Sequence, residues 1–276
     1  MKLEKIWAVY FSGTGTTRRT VERIAGGIAS RLNLPAESVD FSHPAVRQET
    51  LRFGEKDLVV FGTPVYAGRV PNVLLPFLRE RIVGGGALAV PVVLFGNRNY
   101  DDALIELRNI LAADGMHPIA AGAFVGEHSF SRVLGADRPN AEDEALMDEF
   151  AARVAELAAG LDAAPVKSVA VRGQEPLRPY YTPRDRAGNP INILKVKPKT
   201  DLSRCGGCGL CADLCPMGSI DPADVSAVRG ICIKCCACVK GCPTEAKFFD
   251  DAGYLYHQHE LEAQYARPAE NEVFYL

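Results

Sequence analysis

The sequence predicts an α/β domain built on a five-stranded parallel sheet, followed by a small cysteine-rich α+β domain. Three observations predict this arrangement. Apolar, β-branched runs alternate with amphipathic helical patterns through residues 1–160, six prolines are crowded into residues 164–200, and all nine cysteines lie within residues 205–242. With 276 residues, 47% of them hydrophobic, the chain is long enough for one large domain or two smaller ones.

The first domain, residues 1–163, is expected to alternate strands with helices. Apolar runs predict strands at 6–11, 38–41, 58–62, 87–95 and 119–125. Apolar residues at helical spacing predict helices at 17–32, 73–82, 103–111 and 141–161. Buried strands alternate with helices in this way when a parallel sheet carries helices on both faces. Five strands in a domain of this size suit the strand order 2-1-3-4-5.

A proline-rich basic connector is predicted over residues 164–196. Residues 164–200 hold eight Lys/Arg and two Asp/Glu, whereas residues 201–276 hold six basic and eleven acidic residues. The connector is therefore either a solvated spacer or a basic strap across the acidic C-terminal part of the chain. The second domain is expected over 197–252. Residues 253–276 form a tyrosine-rich tail to which the sequence assigns no chemistry.

Charge and hydropathy exclude several classes of function. The formal net charge of −3 provides no general basic field for nucleic acid. The N-terminal apolar run is short and is broken by glycine, so it is not expected to be a signal peptide. The longest uncharged run, residues 82–97, is too short to cross a bilayer, and no membrane insertion is expected. Crowded cysteines favour a metal site over a disulfide framework, and we expect a cytoplasmic protein.

Two copies of one cysteine motif account for eight of the nine cysteines. The first motif is Cys205–Pro216 and the second is Cys232–Pro243; both read C-x2-C-x2-C-x3-C-P, so each ligand recurs 27 positions later. This spacing is typical of [4Fe–4S] clusters, whereas zinc sites usually show two C-x2-C pairs separated by a longer gap. Cys236 lies outside the pattern. It is either a small buried filler or an additional redox group or ligand.

The motif also predicts which cysteines share a cluster. Three cysteines in a tight loop occupy three irons of a cubane, and the fourth must come from a segment that has left that loop. Proline after the fourth cysteine turns the chain away. The first cluster is therefore expected to take Cys205, Cys208, Cys211 and Cys242. The second is expected to take Cys232, Cys235, Cys238 and Cys215.

A glycine- and hydroxyl-rich loop follows the first predicted strand. It reads Ser12-Gly13-Thr14-Gly15-Thr16-Thr17-Arg18. Between a strand and a helix N-terminus such a loop favours phosphate, because backbone N–H groups, hydroxyls and the helix dipole converge there. It lacks the lysine of a P-loop, and Arg18 replaces the third glycine of a dinucleotide fingerprint. The hydroxyls resemble the phosphate loop of flavodoxins; a plain capped turn is the alternative.

Two further loops follow the third and fourth predicted strands, at the sheet edge where this class of fold binds ligands. The first supplies the candidate flavin contacts Thr63, Pro64, Val65, Tyr66 and Gly68. The second supplies Gly96, Asn97, Arg98, Asn99, Tyr100 and Asp101. Here an asparagine would contact the pyrimidine edge of the ring and Tyr100 would stack on it. Alternatively, Tyr66 and Tyr100 pack on helices, and His128, after the fifth strand, lies near the ring or is structural.

Taken together, these motifs resemble flavodoxin-domain proteins fused to a two-cluster ferredoxin of the bacterial type. The resemblance covers nearly the whole chain, including the connector segments 179–183 and 195–200. It implies a flavodoxin-like sheet that binds FMN, two [4Fe–4S] clusters in a ferredoxin-like second domain, and electron transfer between them. Cys236 and the tail depart from it.

These features favour an electron-transfer flavoprotein that exchanges electrons with an external redox protein or a small-molecule donor or acceptor. One alternative is an FMN-dependent reductase of a small molecule that the clusters supply with electrons. Another is a redox-sensing module. The sequence contains no Ser-His-Asp set, paired carboxylates or nicotinamide fingerprint, so it predicts no catalytic residue and no direct use of NAD(P)H.

Overall fold

The central sheet of the computed structural model, which describes residues 1–276, has the order β11-β8-β6-β4-β1-β2. The strands are β1 Lys5–Tyr10, β2 Ala36–Asp40, β3 Leu51–Arg52, β4 Asp57–Pro64, β5 Ile82–Val83, β6 Leu88–Phe95, β7 His117–Pro118, β8 Ala120–Val125, β9 Lys199–Thr200, β10 Lys247–Phe248 and β11 Glu272–Tyr275. The helices are α1 Thr16–Leu32, α2 Leu75–Glu80, α3 Ala103–Ala113, α4 Ala141–Ala159, α5 Leu210–Asp213, α6 Ala237–Lys240 and α7 Ala252–Gln264.

The five long parallel strands confirm the predicted order. Strand β1 lies between β2 and β4, with Ile6 opposite both Ala36 and Leu58, and β6 and β8 follow on the far side of β4. Alternate strand residues face two cores. One core contains α1 and α4, and the other contains α2 and α3. The carboxyl ends of β1, β4, β6 and β8 therefore meet along one edge, where the loops of interest begin.

The tail after residue 252 returns to this sheet. Helix α7 is capped by Asp251, whose side chain accepts a hydrogen bond from the Tyr254 N–H at 2.9 Å. Strand β11 then pairs antiparallel with β8, placing Glu272 opposite Ala123. The apolar side of α7 consists mostly of Tyr254, His257 and Leu261, so ordinary hydropathy patterning gives it little weight. The tail thereby covers what would otherwise be an exposed sheet edge.

The cysteine-rich part is built from two similar turns. Helices α5 and α6 occupy equivalent places in the two motifs, and strands β9 and β10 pair antiparallel, with Lys247 opposite Thr200. Each helix is preceded by a residue in the left-handed region, Gly209 (φ 75°) before α5 and Cys236 (φ 59°) before α6. The sequence repeat is therefore also a repeat of backbone conformation.

The connector is fixed to the rest of the molecule by ion pairs, as a strap would be. Its pairs are Arg172–Glu272 at 2.9 Å, Arg178–Asp102 at 2.6 Å and Arg186–Glu260 at 2.9 Å. Two of the three carboxylates belong to the acidic C-terminal part, but Asp102 belongs to the first domain. The strap therefore lies across the first domain and the tail. No helix has the length and apolar character needed to span a membrane.

Candidate cofactor sites

The loop after β1 forms a small cavity at the start of α1. Gly13, Thr14, Thr16 and Thr17 line this cavity of about 70 Å³, which we call the loop cavity. Gly15 lies just before α1 with φ 86°, and no side chain caps the helix. The first N–H groups of α1 therefore have no side-chain acceptor, which is the arrangement that binds anions at helix N-termini.

A larger cavity of about 230 Å³, the central cavity, adjoins the loop cavity. The two share Val65, Tyr66, Phe95, Gly96 and His128 in their walls, and Pro64 lines the loop cavity alone. Gly68, Arg98 and Asn99 also line the central cavity, as the sequence predicted for ring contacts. Its other walls come from distant segments: Tyr181, Pro183, Ile193 and Leu194 of the connector, Ile233 and Lys234 of the second motif, and His257 and Leu261 of α7.

Tyr100, predicted to stack on a flavin ring, is not brought to either cavity. Its side chain is fully buried and packs against Phe95, with 5.4 Å between ring centroids. Its hydroxyl donates a hydrogen bond to Glu272 at 2.7 Å, and the Arg172 guanidinium lies 4.3 Å from the ring centroid. The connector and β11 thus hold this ring in the core.

Asn97 likewise turns away from the cavities. Its amide donates hydrogen bonds to the Tyr265 and Arg267 carbonyls at 2.7 and 3.0 Å, and these lie beyond α7. Asp101 forms an ion pair with Arg98 and fills the space beside Gly68, where an added Cβ would lie 2.3 Å from its carboxylate. These residues support the loop without lining a cavity.

Three other predicted residues sit beside the cavities. The Ser12 hydroxyl accepts a hydrogen bond from the Arg18 N–H at 3.2 Å, and its own N–H donates to Ser42 Oγ at 2.7 Å. Gly15 permits the turn into α1. Thr63 is fully buried, and its hydroxyl has no hydrogen-bond partner.

His128 lines both cavities and is held as a neutral ring. Its Nδ1 accepts a hydrogen bond from the Phe130 N–H at 3.1 Å, which assigns the proton to Nε2. Burial lowers the pKa of His128 to about 3, and the nearby Lys240, His257 and Arg98 add to this effect. The charged side chains in the central cavity wall, Arg98 and Lys234, are both cationic.

The eight motif cysteines line two further cavities. Cys205, Cys208 and Cys211 share one with Cys242, and we call it the first thiol cavity. Cys232, Cys235 and Cys238 share the other, the second thiol cavity, with Cys215. The thiols do not converge on a single ion: no group of three or more His, Cys, Asp or Glu side chains is close enough to hold one. They are spread over the cavity walls.

The second motif lies directly against the loop after β1. A Cβ added to Gly13 would lie 3.0 Å from the Cβ of Cys235, and Cys235 also lines the loop cavity. Burial raises the pKa of the Cys235 and Cys238 thiols to about 12, so iron binding at these positions requires the release of their protons. The pKa of Tyr66 is raised by burial and by the thiols of Cys235, Cys236 and Cys232.

Lys240, within the second motif, joins this motif to the wall of the central cavity. Its ammonium group pairs with Glu127 and donates hydrogen bonds to the carbonyls of His128 at 2.7 Å and Ser131 at 2.8 Å. On the opposite side, Arg47 donates to the Pro216 carbonyl at 2.5 Å. These contacts fix the cysteine-rich part on the sheet edge.

Cys236 is buried beside the second thiol cavity. Its Sγ lies 3.4 Å from the Tyr254 hydroxyl and 3.5 Å from the Lys234 carbonyl oxygen. The sequence had no signal for the roles of Lys240, His257 or the connector residues in these walls, because their partners are more than 50 residues away. The connector segment 179–183 and the tyrosine-rich tail were conspicuous in composition only.

Comparison with known proteins agrees with the two halves of this arrangement. Residues 8–103 match the model of a family described as flavodoxin domain, and residues 198–221 match one described as 4Fe-4S binding domain. None of the curated proteins compared with the sequence matches it.

The chain is also similar to solved structures of low sequence identity. A flavodoxin from the domain Archaea is 17% identical, and the match covers 55% of this chain and 96% of that one with a TM-score of 0.41. The apo form of an NADH:FMN oxidoreductase is 17% identical over 56% of this chain and 89% of that one, with a TM-score of 0.39. Rubredoxin oxygen:oxidoreductase from the anaerobe Desulfovibrio gigas is 16% identical over 59% and 38%, with a TM-score of 0.37. The chain thus combines a flavodoxin domain with a 4Fe-4S ferredoxin-type domain, consistent with a flavodoxin–ferredoxin fusion.

Proposed function

We propose that the chain is an electron-transfer flavoprotein that passes electrons between two [4Fe–4S] clusters and FMN, and to or from an external redox partner. When bound, FMN takes up one or two electrons and each cluster takes up one. The observation that carries the proposal is the position of Cys235. It lies against Gly13 and lines the same cavity as Thr14 and Thr16, so one protein surface serves both kinds of cofactor.

The residues of the two adjoining cavities fit FMN. Thr14 and Thr16 would donate hydroxyl groups to the phosphate, together with the uncapped N–H groups of α1. Val65, Tyr66 and Gly96 would bound the ring, and neutral His128 offers one N–H donor. The combined volume reaches the lower end of the range for cofactor sites, roughly 300–1,000 Å³.

The thiol cavities fit cubane clusters with exchanged fourth ligands. Each cavity has four cysteines, three from one motif and the last from the other. In a cubane each iron takes its own thiolate, so ligands spread over a cavity wall suit it better than ligands drawn to one point. We therefore assign Cys205, Cys208, Cys211 and Cys242 to the first cluster, and Cys215, Cys232, Cys235 and Cys238 to the second.

We propose domain boundaries on the same basis: 1–163 for FMN, 164–196 for the connector, 197–252 for the clusters and 253–276 for the tail. All nine cysteines are free, which suits a reducing compartment, and we propose the cytoplasm. The reductase alternative calls for space beyond the flavin. The central cavity is closed by the connector, the second motif and α7, and it has the size of the ring itself.

Cofactor analysis of anaerobically purified protein tests the proposal. We expect one FMN, with about eight iron atoms and about eight acid-labile sulfides per chain, as two four-iron clusters require. Cys205→Ser is expected to lose about half of the iron and to keep FMN. Stoichiometric zinc in place of iron, or FAD in place of FMN, would overturn the assignment.

A further inference from the structure

An external redox protein finds no direct access to the central cavity or to the second thiol cavity. The connector residues Tyr181 and Leu194, the second motif and α7 together close the central cavity. Cys235 and Cys238 are buried against the first domain. Because a docking partner must approach a redox centre closely, these two sites are shielded by the chain's own segments.

The first motif is open by contrast. Cys208 is exposed, and Cβ atoms added to Gly206, Gly207 or Gly209 would meet no other atom within 4 Å. Two large apolar side chains flank this loop in solvent: Leu202 is 70% exposed and Leu210 is 38% exposed. A redox centre in the first thiol cavity therefore lies beneath a thin, uncovered loop with an apolar border.

The charge around this loop is negative. Residues 201–252 hold seven carboxylates and five cationic side chains. The ammonium groups of Lys234, Lys240 and Lys247 are bonded to carbonyl or carboxylate groups of the chain itself, and Arg204 and Arg229 are paired with Glu245 and Asp221. The carboxylate of Asp213, two residues after Cys211, is exposed and has no partner.

We infer that the surface formed by residues 202–213 is the docking site for the external partner. The partner it fits is a one-electron carrier protein with a positively charged rim around its own redox centre. Electrons would then enter or leave the chain at the first cluster, with the second cluster between it and FMN. This inference rests on the proposed function and adds to it the place of exchange and the charge of the partner.

The probe we choose is cytochrome c, a small basic haem protein that accepts one electron as its ferric iron becomes ferrous. The holoprotein is first reduced with stoichiometric dithionite, then mixed with ferric cytochrome c in an anaerobic stopped-flow experiment. At low ionic strength we expect Asp213→Lys to slow the bimolecular reaction by about three- to tenfold and to weaken its salt dependence. The Leu202→Ser/Leu210→Ser variant should also slow it.

Asp162→Lys is the matched control, with the same change of charge at the opposite edge of the sheet. Asp162 is exposed and follows Leu161, whose carbonyl accepts a hydrogen bond from the N-terminal ammonium group. We expect wild-type rates for it. Equal rates in Asp213→Lys and Asp162→Lys, with iron content and cluster EPR intact, would overturn the docking site. Flavin absorbance in the same traces tests the proposed function separately, because FMN that stays reduced while the clusters are oxidised contradicts transfer between them.

Discussion

The two cysteine motifs have the same ligand spacing and opposite surroundings. Cys208 and Cys235 occupy equivalent positions, 27 residues apart, yet Cys208 is exposed and Cys235 is buried against the loop after β1. The next equivalent pair differs in the same direction. Asp213 is a free surface carboxylate, whereas Lys240 is bonded to three groups of the first domain. The ligands thus define what each motif binds, and the residues between them define what each motif contacts.

Backbone conformation shows how the second motif gained its contacts. Gly207 and Gly209 of the first motif have φ values of 68° and 75°, and Lys234 and Cys236 have the same left-handed conformation at 56° and 59°. Non-glycine residues are disfavoured there by roughly 1–2 kcal/mol. The second motif bears this strain and gains side chains that contact the connector and α7, through the bonds from Lys234 Nζ to the Leu194 carbonyl and from Cys236 to Tyr254.

The largest effects should come from the ligands, and they test whether the motifs share their cysteines. We expect Cys215→Ser and Cys232→Ser to perturb the same cluster in low-temperature EPR, because both line the second thiol cavity. Cys205→Ser and Cys242→Ser should perturb the other cluster. If Cys215→Ser instead reproduced the spectrum of Cys205→Ser, each motif would bind its own cluster.

Cys236→Ser is the control for this series. Its side chain is buried and close to the Tyr254 hydroxyl, and serine preserves its size and its capacity for hydrogen bonding. Both clusters and FMN should remain in place. Loss of either cluster would make Cys236 a ligand.

Lys240→Met tests whether the second motif is fixed to the sheet edge by its lysine. The change removes an ammonium group that is mostly buried and leaves Glu127 and two carbonyls without a partner, at a cost of about 3 kcal/mol in the free energy of unfolding. Denaturant unfolding of the holoprotein measures it. Asp213→Asn, at the equivalent position of the first motif, should change the value by less than about 0.5 kcal/mol. Similar effects of the two variants would contradict the distinction between the motifs.

Thr14→Val tests the loop that the second motif contacts. Loss of one hydroxyl donor to the phosphate should weaken FMN binding by about 1–3 kcal/mol and change riboflavin binding little. Titration of the apoflavoprotein with each flavin measures both affinities. Equal losses would show that the loop does not hold the phosphate. FMN removal should also alter the EPR signal of the second cluster more than that of the first.

The smallest expected effect separates conformation from space in the first motif. Gly209→Ala should cost about 1 kcal/mol of stability, because Gly209 has φ 75° even though the space around it is open. Gly206→Ala, equally open but without a positive φ, should leave unfolding unchanged. Thermal unfolding of the two holoproteins compares them directly, and a loss of stability in Gly206→Ala would point to a contact at this loop.

Sequence patterns predicted the parts of the molecule that depend on local periodicity. The five parallel strands and their order are confirmed, because each strand is an apolar run bounded by a helix. The fates of Tyr100 and Asn97 depend on Glu272 and on carbonyls of residues 265 and 267 instead. Such contacts span about 170 residues, and no local pattern contains them. For the same reason the sequence did not indicate that the connector and α7 close the central cavity.

Strand β11 makes the cysteine-rich domain an insertion rather than an appendage. The chain leaves the first domain through the connector, forms both motifs, and returns through α7 to a strand of the original sheet. An inserted domain is tethered at both ends, so it cannot swing away on a single linker as a C-terminal module can. Redox traffic inside such a molecule relies on a fixed distance rather than on domain motion, and truncation after residue 252 would free the domain and uncover β8 together.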